Sequence, residues 1–183
     1  MAKAVWNGVT LAESDDIAFV EGNVYFPAGS LNKDLFSESK TTERTFCHWK
    51  GFADYYDITV DGKVNEGGAW YYAEPYEQAT VIKDRVAFWN GVEVTGAPEG
   101  EGRGLVEPIP SPRGNRSGWE ALCWLIRHSD ETELSAEEIT ANTDIAAEDI
   151  PEAWQVYDVQ RYAKRYKWTL SGSGADLKLT KSA

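Results

Sequence analysis

The sequence predicts a mainly β N-terminal half followed by a small α+β C-terminal half. Three observations lead there. Tight-turn dipeptides separate short apolar runs up to about residue 96. A Pro/Gly-rich segment follows, and beyond it the apolar spacing lengthens from two residues to three or four.

The turns come first. Lys3–Val5 and Val9–Leu11 flank Trp6-Asn7-Gly8, and Asn-Gly suits a two-residue hairpin turn because both positions tolerate positive φ. Ile17–Val20 and Val24–Phe26 flank Glu21-Gly22-Asn23, and Ile58–Val60 and Val64 flank Asp61-Gly62-Lys63. One short helix is expected over Pro75–Asp84, with proline in its first turn and Ala79 and Ile82 on one face. Ala4-Val5-Trp6-Asn7-Gly8-Val9 is echoed by Ala87-Phe88-Trp89-Asn90-Gly91-Val92, which predicts similar hairpins at both ends of one sheet system.

Residues 97–112 contain four prolines and three glycines, the composition of an extended linker. The expected domains are therefore 1–96 and 113–183. In the second, Trp119, Leu122, Cys123 and Ile126 recur as one apolar helical face. Ser135 and Glu138 form a capping-box pattern. Trp154, Tyr157, Arg161 and Tyr162 predict a third helix from about Pro151 to Tyr166. Trp168–Leu170 and Leu177–Leu179 flank Ser171–Asp176 as a terminal hairpin, completing the order of a winged helix.

A formal charge of −12 argues against general nucleic-acid binding and against an anionic membrane surface. Arg161, Lys164, Arg165 and Lys167 cluster locally, yet both halves carry more acids than bases, so protein contact, or packing on the first domain, is the favoured use of the second domain. No apolar run approaches the ~20 residues of a membrane span, and the chain starts directly in a strand pattern. Cys47 and Cys123 stand in segments of different character, which suits two reduced thiols and a cytoplasmic location.

Arg44–Tyr56 concentrates a thiol, an imidazole, an ammonium and several rings in what reads as one β-strand. Alternation then places Cys47, Trp49, Gly51, Ala53 and Tyr55 on one face and Phe46, His48, Lys50, Phe52, Asp54 and Tyr56 on the other, unless a bulge at Gly51 changes the phase. The functional expectation is a small-molecule cleft walled by Trp49, Tyr55, Trp70 and Tyr72, with Lys50 or Arg44 fixing an anionic or carbonyl group. The competing expectation is that the rings are core and that Lys50 pairs with Asp54 or Asp57. Cys47 is expected to be a buried, inert thiol.

Tyr25-Phe26-Pro27, Thr45–Tyr56, Ala69–Pro75 and Val86–Trp89, in this order, make residues 1 to about 96 resemble the DUF427 family, whose domain also carries a nucleotidyltransferase label. The resemblance implies a β-tent, two antiparallel sheets leaning together, with the ligand site of several relatives in the cleft. Members commonly have proline after the cysteine, where this chain has His48. Some β-tent proteins bind zinc through paired cysteines. Cys47 is alone in its half, so neither a metal nor another cofactor is expected. The transferase label gains no support from a Gly-rich phosphate loop. The leading expectation is thus a cytoplasmic protein that binds an unidentified small molecule, with or without catalysis. The alternative is a non-catalytic module that recruits a protein partner through residues 113–183.

Overall fold

Asn7, Glu21, Asp61 and Asn90 all adopt left-handed backbone angles (φ 48–49°), each followed by glycine. These four turns organise the N-terminal strands. The structure, a computed structural model, describes residues 1–104 and 118–182. The chain divides into two units, Met1–Val106 and Glu107–Ala183.

The first unit contains β1 (Ala2–Trp6), β2 (Val9–Ser14), β3 (Ala18–Val20), β4 (Asn23–Pro27), β5 (Phe36–Glu38), β6 (Thr45–Cys47), β7 (Gly51–Val60), β8 (Lys63–Tyr71), β9 (Arg85–Phe88) and β10 (Glu93–Thr95). They form two antiparallel sheets, as the family resemblance implies, and neither closes into a barrel. The small sheet has the order β10-β1-β2; the large one runs β3-β4-β9-β8-β7-β5, with β6 also on β7. Ala4 and Leu11 from the small sheet pack with Phe26, Ile58 and Val86 from the large sheet to make the inter-sheet core. The other face of the large sheet carries a second core containing Val20, Tyr25, Trp49, Tyr55, Tyr72 and Ile82.

Three expected hairpins form at Asn7-Gly8, Glu21-Gly22 and Asp61-Gly62. The echo at Asn90-Gly91 differs, because β9 lies in the large sheet while β10 pairs with β1 in the small one. Trp89 explains the crossing. Its backbone N–H donates to Gly68 O (3.1 Å), its Nε1 donates to Gly67 O, and Asn65 Nδ2 donates to Asn90 O (2.9 Å). The turn is thereby tied to β8, and the chain leaving it joins the opposite sheet. The expected short helix is a 3-10 helix over Glu77–Ile82, with Ala79 and Ile82 buried.

The second unit is α+β: α1 (Gly118–His128), β11 (Glu133–Ser135), α2 (Ala136–Thr143), α3 (Ile150–Trp154), α4 (Tyr157–Tyr166), β12 (Trp168–Ser171) and β13 (Lys178–Lys181). Its sheet has the order β11-β13-β12. The first two expected helices and the terminal hairpin are present, and β11 adds a third strand. Ser135 and Glu138 form the expected capping box at the start of α2. The expected third helix is broken instead: Val156 is extended (ψ 130°) between α3 and α4. The break changes the phase, so Trp154, Val159, Tyr162 and Ala163 are buried while Tyr157 is 78% exposed.

Of the expected linker, residues 105–112 lie outside the described residues, as do 113–117 of the expected second domain. Residues 101–103 run beside β3: Arg103 N donates to Phe19 O (2.9 Å), Glu21 N to Arg103 O (3.0 Å) and Gly22 N to Glu101 O (2.6 Å). Gly102 has φ +70°, and a Cβ there would meet Phe19 O at 2.3 Å. Gly102→Ala should therefore lower stability by at least about 1 kcal/mol in urea unfolding of the full chain. An unchanged midpoint would mean that residues 101–103 are not held against β3.

Candidate ligand cleft

The stretch expected to be one strand is a hairpin. Cys47 pairs with Gly51 and Thr45 with Ala53, so His48-Trp49-Lys50 is the turn between β6 and β7. Gly51 has φ +97°, a conformation that disfavours a side chain, and it lies under Glu74–Tyr76, whose Tyr76 N donates to Lys50 O (3.1 Å). The turn overrides the strand alternation. Lys50 and Trp49 enter the same core rather than opposite faces.

There Lys50 is only 7% exposed, and its ammonium is ion-paired with Glu21 Oε2. Trp49 Nε1 donates to the other oxygen, Oε1, of the same carboxylate at 3.1 Å. The ammonium also lies 5.4 Å from the Trp49 ring centroid and 5.8 Å from that of Tyr72. Asp54 and Asp57, the partners expected from sequence, are engaged elsewhere, with Arg44 and with Gly67 N respectively. Glu21 was legible only as a turn residue. The one local signal is that Glu occupies a left-handed turn position where Asn or Asp is usual.

The same core shifts the neighbouring ionisations. Burial lowers the Lys50 pKa, but Cys47, Tyr25 and Glu21 outweigh it, leaving the pKa above the ordinary 10.5. Burial raises the Cys47 thiol, against the Lys50 ammonium and the backbone N–H groups of Trp49 and Lys50. Tyr72 is also raised, chiefly by burial. Burial thus acts against the thiolate, the reactive form of Cys47. The remaining rings satisfy one another. Trp70 Nε1 donates to Tyr25 OH (3.2 Å), the hydroxyls of Tyr55 and Thr45 are 2.8 Å apart, and Tyr55 stacks on Trp89 with centroids 5.7 Å apart.

An open cleft lies at the edge of the same sheet. β5 pairs with Tyr56–Ile58 of β7, and β6 pairs with Gly51–Ala53, so one edge of β7 is completed in two pieces. Between the pieces the chain leaves the sheet as a loop over residues 39–44. Ser39 N donates to Tyr55 O (2.9 Å), Thr42 N donates to Ser39 Oγ (3.1 Å), and the Thr42 side chain covers Gly67. The gap is a cleft of about 510 Å³ lined by Glu38, Ser39, Thr42, Glu43, Arg44, Asp54, Tyr55 and Tyr71.

The six residues expected to share a cleft are thus divided. Arg44 and Tyr55 line the open one, whereas Trp49 and Tyr72 are buried, Lys50 is ion-paired and Trp70 packs against the second core. Arg44 Nε is 3.0 Å from Asp54 Oδ1, and its guanidinium lies 4.8 Å from the Phe52 ring centroid. Glu38, Glu43 and Tyr71 were missed. The polar run Ser37–Glu43 reads in the sequence as a loop that could cover a cleft, but where it leaves β7, and hence that Tyr71 lines the gap with it, has no local sequence signature. Among the described residues, no group of three or more His, Cys, Asp or Glu could hold a metal ion.

Glu21→Gln leaves the buried ammonium without its carboxylate. It should cost about 2–4 kcal/mol in urea unfolding, less than a wholly buried pair because Glu21 is 42% exposed. The raised Lys50 pKa also has a signed consequence. Its stabilisation is complete below the ordinary 10.5 and is lost as the pH rises through the higher folded value. The stability difference between wild type and Lys50→Met should therefore shrink above that pH, and a constant difference would refute the linkage.

No curated protein matches the chain. No described helix is long and apolar enough to cross a membrane. The family model described as "Domain of unknown function (DUF427)" matches residues 1–97, which include both sheets, the Glu21–Lys50 core and every residue lining the edge cleft. The chain therefore belongs to the DUF427 family.

Proposed function

We propose that the β unit binds a small organic molecule in the cleft between the 39–44 loop and β7–β8. The carrying observation is the interrupted edge of β7, which leaves about 510 Å³ of open space beside a side chain already fixed in place. That volume is within the usual range for small-molecule sites. Arg44 is pre-ordered by Asp54 and Phe52, and Tyr71 by stacking on Tyr56 at 4.5 Å, so less side-chain freedom is lost on binding. Trp49, Lys50, Trp70 and Tyr72 have a supporting role in this reading, packing the sheet whose edge forms the site. Two free thiols favour action in the cytoplasm. No catalytic step is assigned.

The second reading, recruitment of a protein partner by the C-terminal unit, draws on a different observation. Lys164 borders a cleft of about 330 Å³ that Trp154 and Trp168 help line, and Lys164 and Arg165 are exposed on α4. An acidic partner suits that surface.

A metabolite screen monitored by amide chemical shifts of the full chain tests the first reading. A ligand should shift residues 38–44, 54–55 and 71, and Tyr71→Ala should weaken it about tenfold with the fold retained. Shifts confined to the second unit, or none with any compound, would defeat the proposal.

A further inference from the structure

We infer that the edge cleft selects an organic cation, an amine or amidinium on a small planar or apolar body. This rests on the cleft being the binding site. Four charged side chains line it: Glu38, Glu43, Asp54 and Arg44. Arg44 Nε pairs with Asp54, offsetting one positive and one negative charge, and the guanidinium lies over the Phe52 ring with the side chain still 60% exposed. Neither Glu38 nor Glu43 has an ion-pair partner among the described residues. The cleft therefore carries two uncompensated carboxylates. An anionic ligand would have to enter against both, without the help of Lys50, which Glu21 has already engaged.

Tyr71 supplies the second element. Its ring is stacked on Tyr56, with centroids 4.5 Å apart and planes 19° from parallel, so an ordered aromatic surface lines the cleft close to the carboxylates. Aromatic faces attract cations, and the attraction grows as water is displaced. The local field acts on Tyr71 itself. Its pKa is pushed up to about 12 by burial first, then by Tyr56, Asp54 and Glu38. Burial, the largest of these causes, penalises any charge; only the smaller contributions of Asp54 and Glu38 act in favour of a positive ligand. Among the described residues no three His, Cys, Asp or Glu side chains converge as a metal-ion cluster.

Benzamidinium, benzamide and benzoate share a ring and differ in charge, and titrating each into the full-length protein tests the assignment. Benzamidinium should shift the amides of residues 38–44, 54–55 and 71 and bind at least about tenfold more tightly than benzamide, while benzoate leaves them unmoved. Glu38→Gln/Glu43→Gln should remove about that tenfold preference, as should raised salt. Equal or tighter cleft binding by benzamide or benzoate would overturn the cation assignment while leaving the cleft as a binding site. Benzamidinium silence there would overturn it too. If the metabolite screen also finds no cleft ligand, the site itself falls.

Discussion

The N-terminal unit depends on a single constraint, the demand that β7 be covered on both faces while one edge is completed in two pieces. Ten residues long, β7 carries Ile58 and Val60 into the inter-sheet core and Ala53 and Tyr55 into the core on the opposite face. Burial on both sides fixes its register, because a one-residue slip would exchange the two sets. β8 covers one edge, while β5 and β6 share the other. The open cleft is the consequence of that division.

The second core solves a polar problem within an apolar setting. An ammonium in a nest of aromatic rings is costly unless neutralised, and Glu21 reaches it from the β3–β4 turn while accepting a bond from Trp49. Residues 101–103 in turn hold that β3–β4 turn through backbone bonds. The chain end of the β unit, its buried charge and its central hairpin are thereby one connected arrangement. Lys50 is paired within this core, whereas Glu38, Glu43, Arg44 and Asp54 line the cleft at the sheet edge.

Polarity divides the two regions in a way that composition conceals. The chain is acidic throughout, yet most surface carboxylates have water as their natural partner. At the cleft, two of them stand beside a fixed ring and an internally compensated Arg44–Asp54 pair. In the proposed binding site that arrangement would give local selectivity, since a ligand would replace the water around those groups.

Sequence alone determined much of the fold. Asn7-Gly8, Glu21-Gly22 and Asp61-Gly62 specify their hairpins through local dihedral preference, and Ser135 and Glu138 specify a helix start through local hydrogen bonds. The family was legible in its aromatic motifs, which lie in order along the first half. Only the tertiary structure decided the phase of Arg44–Tyr56, where Gly51 beneath Glu74–Tyr76 turns an expected strand into a hairpin. It also chose Glu21 for Lys50 across twenty-nine positions, and sent the Asn90-Gly91 turn from one sheet to the other. The physical reason is range. Turns and caps are satisfied by neighbours along the chain, whereas a buried charge, a shared strand edge and the cleft beside it are set by residues that meet only when the sheets assemble.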